Sequence, residues 1–295
     1  MMTTIRPYAA DDLPRLTAVH NQIDPERLFT PAEMDAFLAD AHCWLALDGR
    51  EIVGYAAVMP APSLPGDSDL HGGVLPAHRR REIGGQLLQT VLAELTAVGL
   101  SRTSGVVDEL DAPLAHFLLA HGFALDHEEV TLVWTPPPAF APPSWPDGFA
   151  LRRYPLAAAV THFRALYEAA FRPHPWYQPY ETAELSQILQ GDGRSPDEIV
   201  FLEHEGQPVG FIWAQSLGLG DWQIEPVVIH PEHQGRGLGK RLLQAGLLEA
   251  SAQGVSEVAI ALWRDNGAAY YLYQQVGFAE NGRCYYLTFS VKREG

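Results

Sequence analysis

The sequence predicts an α/β (α+β) protein made of two tandem copies of one unit, each a mixed, mostly antiparallel sheet flanked by helices. Three observations predict it. Punctuating residues recur at a near-constant offset: Gly54 with Gly210 at 156, and Pro76 with Pro231, Gly122 with Gly277 and Phe123 with Phe278 at 155. Such self-similarity marks a duplicated unit. Between the copies runs Thr135-Pro-Pro-Pro-Ala-Phe-Ala-Pro-Pro-Ser-Trp-Pro146, a stiff, extended stretch that can continue neither a helix nor an inner strand. Within each copy the apolar pattern switches between a period of two and one of 3.6 residues. The expected division is residues 1–135, a proline-rich linker over 136–148, and 149–295.

The elements follow in order. Both copies open alike, Ile5-Arg6-Pro7-Tyr8 against Leu151-Arg152-Arg153-Tyr154; the shorter offset of 146 places a net insertion early in the second copy. A helical region comes next. Ile199–His204 and Val209–Gln215 are β-prone runs around a Glu205-Gly206 turn, which reads as a hairpin. Trp222–Ile229 is the following strand, with Gln223, Glu225 and Val227 on one face by two-residue alternation. Leu238, Leu242, Leu243, Leu247 and Ala250 recur at helical spacing up to Gly254, an amphipathic helix packing on the sheet. Ser256–Leu262 alternates as a strand. Asp265 or Asn266 can cap a helix to Val276, which Gly277 stops in the left-handed conformation. The first copy repeats this with Trp44–Leu47, an Asp48-Gly49 turn, Ile52–Met59, a helix over 83–98 and another before Gly122.

The chain has 295 residues, 47% of them hydrophobic, enough for two domain cores. Its formal net charge of −16 argues against nucleic-acid or anionic-membrane partners, which need clustered Lys and Arg, and favours a cationic or amine-bearing small substrate. No signal-like start and no stretch of roughly 18 apolar residues is present, so a cytoplasmic location is expected. Cys43 and Cys284 fit no zinc spacing and read as buried thiols. His230 and His233 lie three apart without a third ligand nearby, so no metal is expected.

The most specific chemistry lies in residues 227–240, VVIHPEHQGRGLGK. A strand runs into a glycine-rich loop that bares its amides at the start of a helix, and that arrangement holds a pyrophosphate. A Walker loop needs Ser or Thr after Gly-Lys, whereas Arg241 follows Lys240; a Rossmann fingerprint needs GxGxxG with an acid about twenty residues on, and GRGLGK supplies neither. The spacing Gln234-x-x-Gly237-x-Gly239 after a His-Pro turn resembles the acyl-CoA signature of the GNAT superfamily of N-acyltransferases. A second pattern of that family, Asn266-x-x-Ala269-x-x-x-Tyr273-x-x-x-Gly277-Phe278, accompanies it.

The resemblance implies acetyl-CoA as co-substrate and direct attack by a neutral amine, without a covalent enzyme intermediate. It implies that Val227, Val228 and Ile229 offer backbone to the acetyl and pantetheine groups. It further implies that Gln234, Gly235, Arg236, Gly237, Leu238, Gly239 and Lys240 cradle the pyrophosphate. Asn266 would contact the cofactor, cap the helix, or do both. Tyr273 stands where the family's tyrosine protonates the departing thiolate, and Glu225 is the candidate base, or else a hydrogen-bonded structural carboxylate. Similarity is greater to the two-domain mycothiol synthase branch, through Tyr167-Glu-Ala-Ala-Phe-Arg-Pro-His-Pro, but that branch's catalytic glutamate aligns at Gln223, two residues before Glu225. The aromatic segment containing Phe171, Trp176, Tyr177 and Tyr180, with Trp213 and Trp222, walls the acceptor site or packs as core and lid.

The first copy departs from the pattern. Glu82 replaces the glycine matching Gly237, Leu118 stands for Tyr273, Asp111 for Asn266, and no glutamate precedes Pro76 on the strand. Arg79, Arg80 and Arg81 either hold a phosphate tail or form a solvated helix start. The first copy therefore reads as degenerate. The leading expectation is an N-acetyltransferase of a small-molecule amine acting through the second copy. The alternatives are an acyl-CoA sensor and a protein acetyltransferase.

Overall fold

The computed structural model describes residues 3–61, 66–137, 141–174, 177–191, 195–218 and 221–291; Trp176 and part of the proline-rich stretch lie outside them. Two compact units form, Met1–His127 with Cys284–Gly295, and Glu128–Arg283. The chain order is β1 (Thr3–Pro7), α1 (Leu13–Ile23), α2 (Pro31–Leu38), β2 (His42–Asp48), β3 (Glu51–Pro60), β4 (Ser68–Val74), α3 (Ile83–Glu94), β5 (Arg102–Val107), α4 (Pro113–Ala120) and β6 (Ala124–Trp134). It repeats as β7 (Phe149–Arg152), α5 (Leu156–Phe171), α6 (Thr182–Ile188), β8 (Ile199–His204), β9 (Gln207–Gly218), β10 (Asp221–Ile229), α7 (Leu238–Ala252), β11 (Glu257–Trp263), α8 (Gly267–Val276) and β12 (Ala279–Ser290).

In the second unit, β7, β8, β9 and β10 pair antiparallel in sequence order. Strand β10 pairs with β11 in parallel, and β11 pairs antiparallel with β6. In the first unit β1 to β4 form an antiparallel meander, β4 meets β5 in parallel, and β5 pairs with β12. The last strand of each copy has thus been exchanged. Strand β6, whose sequence belongs to the first copy, pairs with β11 of the second, and β12 pairs with β5 of the first. A division at the linker and the division into compact units differ by one strand each way.

Helices cover both faces of each sheet, so strand residues alternate between two buried sides. Ile199 and Phe201 pack with Phe163 of α5 and Leu185 of α6, whereas Val200 and Leu202 pack with Leu243 and Leu247 of α7. The first unit repeats this, with Cys43 and Leu45 toward α1 and α2 and Trp44 and Ala46 toward α3. The recurrent glycines now have a cause. A Cβ on Gly210 would stand 2.6 Å from the Val228 carbonyl oxygen, and one on Gly54 would stand 2.8 Å from that of Gly73, so both hairpins admit only glycine there.

Three details differ from the sequence reading. Helix α3 ends at Glu94 and not near Val98; the chain turns instead into Gly99, whose φ is +81°. Cys284 is half-buried, while Cys43 is buried, its thiol pushed up to about 12 by that burial; both are free thiols. The strict alternation along β10 fails at a bulge. Ile224 faces Ala214 and Val227 faces Ile212, so three steps on β10 match two on β9. Pro226, which has no N–H to give the ladder, sits in this irregularity. Val227 therefore packs beside Ile224 and Ile229, off the face that Gln223 and Glu225 share.

Candidate active site

The parallel pairing of β10 with β11 covers Asp221–Gln223 against Glu257–Ala259. Beyond it, Ile224–Ile229 of one strand and Ile260–Trp263 of the other line a cavity of about 820 Å³, within the ~300–1,000 Å³ usual for small-molecule sites. Val227, Val228 and Ile229 pair on one edge with Ile212, Phe211 and Gly210 of β9, leaving their other edge to the cavity. Gln234, Gly235, Gly237, Leu238, Gly239, Lys240, Asn266, Tyr273 and Glu225 line the same cavity. Of the catalytic and acetyl-CoA-binding candidates only Arg236 lies off its wall: the guanidinium donates back to the Glu232 carbonyl at 3.2 Å.

The loop is built for an anion. Gly235 and Gly237 have φ of +74° and +70°, a left-handed pair that glycine adopts without a Cβ penalty. Gly237 is the N-cap of α7, so the helix's first amides, which lack intrahelical acceptors, open onto the cavity side together with the positive end of the helix dipole. Gln234 braces this loop by donating its Nε2 to the Ile229 carbonyl at 2.9 Å. Its side chain therefore ties loop to strand, a part the sequence did not reveal. No group of three or more His, Cys, Asp or Glu capable of holding a metal occurs among the described residues.

Helix α8 presents both residues of the second motif. Asn266 caps it, its side chain accepting from the Ala269 amide at 3.3 Å, and also reaches the cavity wall. Two turns on, Tyr273 is 4% exposed with its ring against Phe278 at 5.4 Å. Burial pushes its phenol well above the ordinary tyrosine value, so it stays protonated and able to donate.

Glu225 lies across the cavity wall from the aromatic helix. Its Oε1 accepts from Gln215 Nε2 at 2.8 Å and from Gln223 Nε2 at 3.0 Å. Tyr167, Ala170 and Phe171 of α5, with His174 and Tyr180, complete that wall. Phe163, Tyr167 and Phe171 recur four residues apart, the first two rings stacked at 5.6 Å and the last two tilted against each other at 4.8 Å. The Tyr167 phenol is pushed up to about 12, chiefly by burial and further by the Tyr177 and Glu225 charges. Tyr180 is raised likewise, and Arg164 holds its carbonyl at 2.7 Å. Among the aromatics, Trp213 turns into the core, donating to Glu198 at 3.2 Å, and Trp222 packs on the α7 side.

His233 also reaches the cavity, with its ring 5.4 Å from His204. Burial and the neighbouring Arg236, His204 and His230 lower its basicity. Glu129 of β6 is a wall residue that sequence reasoning missed. It lies in the first copy's sequence, and only the strand exchange brings it here.

In the first unit, a cavity of about 120 Å³ occupies the corresponding place between β4 and β5, lined by Leu114, Phe117 and Leu118. Leu118 stands where Tyr273 does in the second, and α4 begins at Pro113 without a side-chain cap.

Comparison with known proteins agrees with this geometry. The acetyltransferase (GNAT) family model matches residues 162–278, and an acetyltransferase (GNAT) domain model matches residues 39–125. A mycothiol acetyltransferase of Thermobispora bispora is 30% identical over 253 residues, 79% of each chain. Among solved structures, a GCN5-related N-acetyltransferase from Sphaerobacter thermophilus superposes with a TM-score of 0.73 at 17% identity, covering 98% of this chain and 96% of that one. A tandem GNAT protein from the clavulanic acid biosynthesis pathway superposes with a TM-score of 0.68 at 18% identity over the whole of both chains. The chain belongs to the GNAT acetyltransferase family, as a tandem, mycothiol-synthase-like N-acetyltransferase.

Proposed function

We propose that the chain transfers the acetyl group of acetyl-CoA to the amine of a small molecule, and that the chemistry takes place in the cavity of the second unit. The observation that carries this reading is that one cavity gathers the glycine loop, the open edge of β10, Tyr273 and Glu225. In this reading the catalytic copy spans 149–295, after a degenerate first copy over 1–135 and the linker 136–148, with β6 lent to the catalytic sheet.

The residues fit acetyl-CoA. The amides around Gly235–Lys240 would hold its pyrophosphate, and the unpaired edge at Val227–Ile229 would hydrogen-bond its pantetheine arm and thioester carbonyl, as fixed dipoles do for a developing oxyanion. Glu225 accepts the ammonium proton, directly or through a water, and frees the nitrogen lone pair. As the C–N bond forms and the C–S bond breaks, Tyr273 gives its proton to the sulfur, and the second amine proton, released as the amide forms, returns to the phenol. Aromatic faces at Tyr167, Phe171 and Tyr180 beside a carboxylate suit a cation before it is deprotonated.

The similarity to mycothiol acetyltransferases makes a mycothiol-related amine one candidate acceptor. The aligned position of that branch's glutamate is Gln223 here, so related amines belong in the same test. A panel of amines offered with acetyl-CoA, read by release of the free thiol, tests activity and acceptor together. At least one amine should release thiol at a rate well above hydrolysis. Thiol release that no amine accelerates would refute the reading.

A further inference from the structure

We propose that Gln215 and Gln223 form an amide pair that keeps Glu225 ionised and oriented, making them positioning residues for the base. This rests on the reading of Glu225 as the proton acceptor. The pair is built by register: Gln223 of β10 lies directly opposite Gln215 of β9. Glu225 follows two residues later on the same face, just where the bulge at Pro226 ends the regular ladder. Both amides donate to one oxygen, Oε1, at 2.8 and 3.0 Å.

Gln215 shows which state this network serves. It is 4% exposed, and its own Oε1 has no hydrogen-bond partner among the described residues, an unfavourable situation for a buried carbonyl. Rotation of the amide by 180° would turn that oxygen toward Glu225 and suit a protonated carboxyl. The observed orientation presents the NH2 group instead, which matches a charged acceptor, and bonds to an ionised group are the stronger kind. Hydrogen bonds donated to a carboxylate favour its charged form and oppose the effect of burial.

Among the described residues, Tyr167 of α5 and Tyr180 before α6 face Glu225, both held as neutral phenols near neutral pH. Besides Tyr273, the cavity's other ionisable wall residues are Glu129, His174, His233, Lys240 and the exposed Tyr271. Amide-to-thioether replacements at Gln215 and Gln223 leave all of these charges in place.

The test titrates the full-length protein by carbon-13 NMR of glutamate carboxyl carbons, with the Glu225 signal assigned by its loss in Glu225→Gln. Gln215→Met and Gln223→Met should each raise the Glu225 midpoint by about one pH unit, the scale of one hydrogen bond to a charged group. Gln215→Glu should raise it further through like charge. The acidic limb of kcat/KM should move with the midpoint. Gln223, on the cavity wall, provides the second variant should the buried Gln215 not tolerate change. Midpoints that stay in place would overturn the amide pair while leaving the base role of Glu225 intact. A Glu225→Gln enzyme with an unaltered pH profile would overturn the base role whether or not the midpoints move.

Discussion

The two glycine-loop positions of the second unit have counterparts that are not glycine, yet the backbone is the same. Gly235 and Gly237 have φ of +74° and +70°; at an offset of 155, Arg80 and Glu82 have +59° and +65°. Even the brace is repeated, since Arg79 Nε donates to the Val74 carbonyl at 2.9 Å, as Gln234 does to that of Ile229. The surrounding fold thus dictates the loop's shape, and glycine determines what the shape costs and what can approach it. Left-handed conformation costs an ordinary residue roughly 1–2 kcal/mol. The first unit bears that strain and adds a carboxylate where phosphate would sit. Its cavity holds about 120 Å³ against about 820 Å³ in the second.

The sharpest way to break this comparison is to remove the acid from one unit and its counterpart from the other. Tyr273→Phe should lower kcat by about 10²- to 10⁴-fold with acetyl-CoA affinity nearly unchanged, measured by thiol release and calorimetry. Leu118→Ala should leave kcat at the original level. The reverse pattern would move the chemistry to the first unit.

Gly237→Glu copies the first unit's loop into the second. The backbone can persist, since Glu82 adopts it, but a side chain there meets Arg241 Nη1 at 2.9 Å and sets a negative charge beside the phosphates. Calorimetric binding of acetyl-CoA should be lost. Unchanged affinity would show that the glycine loop is not the cradle.

In the first unit the expected effects are on stability. Asp12 is buried and accepts from both guanidinium nitrogens of Arg6, at 2.6 and 2.7 Å, and from the Ala9 amide. The Arg6 bonds hold its carboxyl below the usual range. Because the folded value is depressed, this contribution is complete above the unfolded value near ~3.9 and is lost as pH falls through the folded one. Asp12→Ala should cost about 1.5–3 kcal/mol in thermal unfolding at neutral pH, and less in acid. Turnover at low temperature should survive. A fold that stays stable but loses activity would give the first unit a part in catalysis.

The smallest effect is expected from Glu82→Gly. Relief of the left-handed strain, offset by the greater freedom of glycine when unfolded, should leave a gain of at most about 1 kcal/mol, read as a raised Tm. A lowered Tm would mean that the Glu82 side chain makes a contact worth more than the strain.

The repeat, the helix caps and the loop were legible because each depends on local backbone geometry: Pro231 opens a turn, Asn266 caps and Gly277 ends a helix in the left-handed region. Pairing across the sheet was not. Nothing in the local pattern of residues 124–134 says which β-strand they will meet, so the place of Glu129 on the second unit's cavity wall was not legible. The β10 bulge had a readable signal in Pro226, but counting by twos through it placed Val227 on the face of Glu225. Gln215 was read only as part of a β-prone run. Its importance comes from the residue opposite, which requires the register.

The exchange of β6 and β12 constrains the history of the chain. A duplicated enzyme whose copies merely sit in series can discard the idle one. Here the second unit's sheet includes a strand encoded before the linker, carrying Val130, Leu132 and Trp134 of its core, and the first unit's sheet includes the strand encoded last. Deleting the first 135 residues would strip β11 of its partner and leave an open, apolar edge of the kind that aggregates. On the proposed reading, the first copy can do without the acid and the loop glycines, since these serve only chemistry. It has not been free to leave.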